Sequence, residues 1–284
     1  MIKTIAFIGL GVMGLPMACN LVKAGFAVYG YNRSRAKLDQ LAASGGNAAG
    51  SVAEAVRDAD MVITTLPDWP AVRQVMLGPE GVAENARPGT LVVDMTSVSP
   101  IAARELRAAL TEKRLRMLDA PISGGEPRAI DGTLTIMAGG GKADFDEALP
   151  VFKALGATIN RIGDIGAGSV CKVCNQLLVM ANIASVSETL TFAAKAGVDS
   201  EMVFQTIRTG LGGSNILDAK DPMMLAGDIK PGGVIKYHAK DLQNAFDIAM
   251  ETHMPMPIHA VAREIIQSCL ADGLGDADHG CMIR

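Results

Sequence analysis

The sequence predicts an α/β N-terminal domain on a doubly wound, mainly parallel sheet, then an all-α C-terminal domain, the two joined by a long helix. Three observations predict it. Short β-branched runs alternate with helical patterns from residue 4 to about residue 140. The first run leads directly into a G-x-G-x-x-G turn. The stretch from Ser169 to Ala196 holds neither proline nor glycine and reads as one uninterrupted helix, and helical patterns dominate after it.

The first unit organises the rest. Ile5 to Ile8 is a short apolar run of strand character. Gly9, Gly11 and Gly14 follow, then a helical stretch from Leu15 to Ala24 stopped by Gly25, then a second apolar run from Phe26 to Tyr31. A glycine turn between a strand and a helix suits a dinucleotide. The first glycine permits the tight turn, the second lets backbone approach a pyrophosphate, and the third lets helix and strand pack closely. The segment Gly9, Leu10, Gly11, Val12, Met13 and Gly14 is the candidate phosphate cradle.

The end of the second strand discriminates between dinucleotides. A carboxylate there accepts from the ribose 2′-hydroxyl of NAD. This chain has Asn32, Arg33, Ser34 and Arg35 instead. Guanidinium groups and a hydroxyl suit a 2′-phosphate, so the expected cofactor is NADP(H), with NAD(H) as the alternative.

The elements that follow keep the alternation. Helical patterns run from Ala36 to Ala43 and from Val52 to Ala59, and Met61 to Leu66 is a buried strand stopped by Pro67. Leu66 and Pro67 stand at a strand's carboxyl end, where open α/β sheets bind ligands. Trp69 to Leu77 is helical, and Thr90 to Met95 is a strand leading to Thr96 and Ser97. Pro100 opens a helix through Leu110. Arg116 to Asp119 is another strand, followed by a polar loop with Ser123, Gly124 and Gly125, which by itself reads first as an ordinary turn and second as a site whose N–H groups and hydroxyl suit a carboxylate. Thr133 to Ala138 is a strand, and Ala143 to Leu155 a helix. The boundary between domains is expected at 164/165, with helices beyond the long one at Ser200 to Thr209, Ile216 to Leu225, Lys240 to Thr252 and Ile258 to Asp272.

Bulk properties narrow the class. The chain of 284 residues is 49% hydrophobic, enough for a sizeable core, and its net charge of −4 argues against general nucleic-acid binding. Aromatic residues make up 4%, too few for base-stacking platforms. Five cysteines, an odd number, and a start that runs directly into a strand fit a reduced cytoplasmic protein without a signal peptide. Cys171 and Cys174 read as buried helix thiols, since no second ligand pair accompanies them, and the scattered histidines suggest no metal. No apolar run reaches transmembrane length without a charged or strongly polar interruption. Lys172 and Asn175, three apart, share a helix face, where a lysine beside apolar helix can act as acid or base or be a plain surface lysine.

Four passages together resemble the β-hydroxyacid dehydrogenase family, which includes 3-hydroxyisobutyrate dehydrogenase: IGLGVMGLPMACNL, DAPISGGEPRAIDGTL, GAGSVCKVCNQ and AKDL. They span nearly the whole chain in the family's order. The resemblance implies a Rossmann-type N-terminal domain and an active site in a cleft between two domains. It implies Lys172 as the catalytic lysine with Asn175 beside it. It also implies that Ser123, Gly124 and Gly125 hold a substrate carboxylate, that Thr96 or Ser97 meets the nicotinamide end, and that Lys240 reaches cofactor or substrate.

Within the family, GGEPRAIDGTL, QTIRTGLGGSNILDAKDPM and LADGLGDADH lie nearest to the branch that reduces tartronate semialdehyde to glycerate. The implied partner is therefore a small semialdehyde or hydroxy acid. The alternatives are 3-hydroxyisobutyrate, succinic semialdehyde, threonate or a serine-like substrate, and, remotely, a non-catalytic binding module, against which Lys172 argues. A long apolar helix in a small domain predicts a homodimer or homotetramer. Two departures stand out. Where that branch tends to carry an aromatic after Pro-Gly, this chain reads Pro231-Gly232-Gly233-Val234, which predicts a larger pocket, and the chain ends at Arg284, where relatives usually continue.

Overall fold

A computed structural model describes residues 2–227 and 232–283 of the chain. Packing divides it into two compact units, Met1–Lys172 and Val173–Arg284.

The first unit alternates strands and helices: β1 (Thr4–Ile8), α1 (Gly14–Lys23), β2 (Ala27–Tyr31), α2 (Arg35–Ala43), β3 (Asn47–Ala48), α3 (Val52–Val56), β4 (Met61–Thr64), α4 (Trp69–Leu77), α5 (Val82–Asn85), β5 (Leu91–Asp94), α6 (Pro100–Glu112), β6 (Arg116–Asp119), β7 (Ile122–Ser123), α7 (Gly125–Asp131), β8 (Leu134–Gly139), α8 (Lys142–Lys153) and β9 (Gly156–Gly163). Among the described residues these strands form one sheet in the order β3-β2-β1-β4-β5-β6-β8-β7, with β9 on β8. All pairs from β3 to β6 are parallel, and β8 runs antiparallel to β6 and β7. That order reverses between β1 and β4, the switch point at which open α/β sheets take their ligands.

Local chemistry explains the element starts. Ser51 Oγ accepts from Glu54 N at 3.1 Å and caps α3, and the Glu54 carboxylate reaches back past the cap to accept from Gly50 N at 2.7 Å. Asp68 accepts from Ala71 N at the head of α4, and Ser99 accepts from Ala102 N at the head of α6, each with a proline in the first helical positions. The central strands β4 and β5 are buried at every position, as a parallel sheet covered on both faces requires. One core lies around Phe7, Met17, Leu21, Ile63 and Phe152 and the other around Ile8, Val62, Met76, Val92 and Leu106.

The doubly wound, mainly parallel sheet and the helical second half are those the sequence predicts. Several small elements are not. β7 and α7 occupy what reads as a polar loop. β9 alternates so little, with most of its residues partly or fully exposed, that no apolar run announces it. β3 and α5 are too short to leave a pattern.

The second unit is helical. α9 (Ala167–Lys195) begins in the first unit, and the division falls just after Lys172. It is followed by α10 (Ser200–Ile207), α11 (Asn215–Ala226), α12 (Ile235–Glu251), α13 (Pro257–Ala271) and a 3-10 turn at His279–Ile283. Met180, Ile183, Leu190, Phe204, Leu242 and Ile266 lead its core. α12 starts five residues before the expected Lys240, because Ile235 and His238 already belong to its buried face. Among the described residues α9 is the one helix long and apolar enough to cross a membrane by length and composition. Lys172, Asn175, Gln176, Asn182 and Glu188 interrupt it.

Candidate functional site

The glycine turn has three different environments. A Cβ on Gly9 would stand 2.2 Å from the Thr65 carbonyl oxygen, and one on Gly14 would stand 1.9 Å from the Gly9 carbonyl oxygen. Gly9 also has φ +98°, which an L side chain resists. Both glycines are therefore required by the chain's own packing. Gly11 differs: a Cβ there would meet nothing within 4 Å. Its bareness answers no neighbour in the chain, and it leaves the backbone there open to solvent. The turn is fixed from behind, where Thr65 Oγ1 donates to the Gly9 carbonyl at 2.7 Å and Leu10 N donates to Asn32 Oδ1 at 3.1 Å. Asn32 thus ties the end of β2 to the glycine turn. Arg33 and Ser34 are exposed, while Arg35 pairs with Asp39 on α2 at 3.0 Å.

The floor beside this turn is a buried polar network. Thr64 Oγ1 donates to Asp94 Oδ1 at 2.8 Å, Thr96 N donates to the same oxygen at 3.1 Å, and Leu66 N donates to Thr96 Oγ1 at 3.0 Å. Asp94 is 1% exposed, and its Oδ2 has no hydrogen-bond partner among the described residues. Burial pushes its carboxyl up to about 6, against the bonds from Thr96 and Thr64, with Asp119 adding a smaller push. Thr96 is buried and holds the backbone of Leu66, whereas Ser97 and Leu66 are half-buried and Pro67 is exposed.

Ser123 is half-buried on β7, paired with Thr135, and Gly124 and Gly125 are exposed beyond it with φ of +136° and +69°. At the end of β6, Asp119 is 1% exposed. Its Oδ1 accepts from Gly166 N at 2.7 Å, and its Oδ2 accepts from Ser169 N at 2.7 Å and Ser169 Oγ at 3.0 Å. Burial raises the Asp119 carboxyl, and the Gly166 and Ser169 bonds oppose it. Lys172 is half-buried, three residues beyond Ser169. Of the residues singled out from sequence, the glycine turn, Asn32 to Ser34, Leu66, Pro67, Thr96, Ser97, Ser123 to Gly125 and Lys172 all fall in the first unit. Asn175 and Lys240 fall in the second.

In the second unit Asn175 Nδ2 donates to Gln176 Oε1 at 2.9 Å, and Gln176 Nε2 donates to Asp241 Oδ2 at 2.6 Å. Lys240 Nζ lies 3.5 Å from Asp241 Oδ1. His238 Nε2 and His279 Nδ1 share a hydrogen bond of 2.8 Å. Beside them, Asp278 is fully buried, bonded by Lys220 Nζ at 3.0 Å and by the N–H groups of Gly232, Gly233 and Gly280. Burial alone would raise the Asp278 carboxyl, but the Gly280 N–H, His279, the Gly233 N–H and Lys220 together lower it. Burial, His238 and Lys220 hold His279 well below the usual imidazole range. Sequence reading singles out none of Asp94, Asp119, Gln176, Asp241, His238, His279 or Asp278. Each takes its meaning from partners distant in the chain, although Asp119, Gln176, Asp241, Asp278 and His279 lie inside passages that carry the family resemblance. The pocket side of the Gly233 departure has a counterpart here: the space a Cβ would take is filled by the His279 ring. Pro231 lies outside the described residues. Among the described residues no group of His, Cys, Asp and Glu side chains is arranged to hold a metal.

A mainly parallel sheet with its glycine turn at the switch point is the architecture of a dinucleotide-binding domain. Residues 4–163 match the family model for the NAD binding domain of 6-phosphogluconate dehydrogenase. Residues 166–284 match the one for the NAD-binding domain of NADP-dependent 3-hydroxyisobutyrate dehydrogenase. The chain belongs to the 3-hydroxyisobutyrate dehydrogenase family, the β-hydroxyacid dehydrogenases, NAD(P)-dependent oxidoreductases that act on hydroxyl or aldehyde groups.

It is 36% identical to the 2-hydroxy-3-oxopropionate reductase of Escherichia coli K12, over 99% of this chain and 96% of that protein. It is 37% identical to the 2-(hydroxymethyl)glutarate dehydrogenase of Eubacterium barkeri, over 99% of this chain and 93% of that one. The solved Mycobacterium tuberculosis 3-hydroxyisobutyrate dehydrogenase with L-serine superposes with a TM-score of 0.91 at 34% identity, over 100% of this chain and 98% of that one.

Proposed function

We propose that this chain reduces a small carboxylate-bearing semialdehyde to its hydroxy acid with NADPH, and that the substrate is tartronate semialdehyde, giving glycerate. The observation that carries the reading is that the glycine turn, the Ser123-Gly124-Gly125 segment and Lys172 all belong to one compact unit. The similarity to a 2-hydroxy-3-oxopropionate reductase supports the substrate. Exposed Arg33 and Ser34 at the end of β2, with no acidic residue among residues 32–35, support the 2′-phosphate.

A reduced nicotinamide, when bound at the glycine turn, would supply the hydride for the aldehyde carbon. Protonated Lys172 stabilises the negative charge growing on the aldehyde oxygen and donates its proton there. Asn175, three residues along α9, fixes that oxygen or the lysine by hydrogen bonding. The N–H groups at Gly124 and Gly125 and the Ser123 hydroxyl anchor the substrate carboxylate and so set the distance and face of the reacting carbon. Gly9 to Gly14 cradle the pyrophosphate, Arg33 and Ser34 take the 2′-phosphate, Leu66, Pro67 and Thr96 or Ser97 border the nicotinamide end, and Lys240 contacts the cofactor. The working form is a homodimer or homotetramer, which exposed Leu178 and Phe192 on α9 support.

The test is loss of reduced-nicotinamide absorbance with tartronate semialdehyde, run with NADPH and NADH in parallel. Fast oxidation of NADPH and slower oxidation of NADH is the expected result. Turnover with NADH alone overturns the cofactor preference and leaves the reaction. Turnover of another semialdehyde or of L-serine, but not of this one, overturns the substrate. The relatives named for 2-(hydroxymethyl)glutarate and solved with L-serine favour that second reading.

A further inference from the structure

The proposed chemistry asks Lys172 to stand at one place relative to the carboxylate-binding segment. The first turn of α9 decides that place, and one carboxylate holds that turn. Asp119 closes β6, and four residues later the chain reaches Ser123. Each Asp119 oxygen accepts a backbone N–H from the start of α9, Gly166 on one and Ser169 on the other, both at 2.7 Å. Ser169 Oγ adds a third bond at 3.0 Å, and both side chains are 1% exposed.

The surrounding glycines permit this approach. A Cβ on Gly168 would stand 2.2 Å from the Met137 carbonyl oxygen and 2.5 Å from that of Asp119. A Cβ on Gly139 would stand 2.4 Å from Asp119 Oδ1. The helix thus starts directly against the ends of β6 and β8. Lys172 lies one turn past Ser169, so its backbone position follows from where Asp119 grips.

We propose that Asp119 is the positioning residue of the active site, acting through Lys172 by fixing the start of α9 against the strand that leads to Ser123. The proposal rests on the reading of Lys172 as the proton donor. An asparagine cannot replace it, because its amide nitrogen would face an N–H donor in place of an acceptor. A glutamate is a methylene too long for a slot closed by Gly139 and Gly168.

A double-mutant cycle with Lys172→Ala tests it, measured as kcat and KM for semialdehyde and NADPH. Asp119→Asn in the wild-type background is expected to lower kcat by about 10²-fold, the cost of a misplacement near 1 Å, with KM for NADPH unchanged. In the Lys172→Ala background it is expected to lower the residual rate by less than about twofold. Hydrogen exchange of the amides from Gly166 to Lys172 is expected to rise at least about tenfold in Asp119→Asn, without turnover being involved.

Equal losses in both backgrounds overturn the positioning role and leave the lysine in place. Near-normal turnover of Lys172→Ala alone overturns the lysine reading, and the proposal with it. If Asp119→Asn does not fold, Ser169→Ala carries the same cycle, since it removes one bond and keeps the N–H. A loss of about three- to tenfold that vanishes without Lys172 supports the role, and a loss that persists overturns it.

Discussion

The His279 ring fills the space that a side chain on Gly233 would need: a Cβ on Gly233 would stand 2.5 Å from His279 Cε1 and 2.9 Å from Nδ1. The ring cannot simply retreat, because Nδ1 shares a 2.8 Å hydrogen bond with His238 and the Asp278 carboxylate lies 3.8 Å from Nε2. Gly233→Ala is therefore expected to destabilise the protein by about 1–3 kcal/mol, the usual cost of overpacking. Urea unfolding measures it, and a stability equal to wild type would mean that the ring yields freely.

Two buried groups pull stability in opposite directions with pH. His279 in the folded chain lies below its ordinary value of 6.5, so the unfolded chain binds a proton first and stability falls as pH drops below about 6.5. Asp94 lies at about 6 against an ordinary 3.8. Between those values the folded chain keeps a proton that the unfolded chain has released, so the Asp94 contribution falls as pH rises through the window. Asp94→Asn is expected to become more stable relative to wild type by ~2 kcal/mol between pH 4 and pH 8. Denaturant unfolding at the two pH values measures it, and a difference independent of pH would show that Asp94 titrates normally.

The glycine turn separates fold from binding. Gly11→Ala meets open space, so stability is expected to stay within about 0.5 kcal/mol of wild type while NADPH affinity drops at least about tenfold. Gly14→Ala has no room against the Gly9 carbonyl and is expected to lower yield and melting temperature before any question of binding arises. Thermal unfolding with and without NADPH distinguishes them. Unimpaired cofactor binding by Gly11→Ala would show that the pyrophosphate does not pass over that residue.

Lys172→Ala is expected to lower kcat by about 10²–10⁴-fold, the span of general acid catalysis, with NADPH affinity retained. Stopped-flow absorbance and cofactor titration check the two halves. A near-normal kcat removes the lysine from the chemistry.

Much of the fold was legible because the forces involved are local. Buried strands such as Met61 to Thr64 announce themselves by unbroken apolar runs, and Ser51, Asp68 and Ser99 mark helix starts through bonds within four residues. The glycine spacing carries its own chemistry, and the uninterrupted α9 follows from the absence of any breaker. The sequence by itself thus determined the doubly wound sheet, the helical second half and the family, with Lys172 and the glycine turn as candidates.

Tertiary structure alone decided what holds those candidates. Asp119 meets its partners 47 and 50 residues further along the chain, and Gly233 meets His279 across 46 positions of sequence. No periodicity records such pairs, since burial and hydrogen-bond satisfaction are properties of packed neighbours and not of neighbouring residues. The spacing assigns Gly11 and Gly14 different roles, and packing supplies what each meets: a Cβ on Gly14 would stand 1.9 Å from the Gly9 carbonyl oxygen, and one on Gly11 would meet nothing within 4 Å.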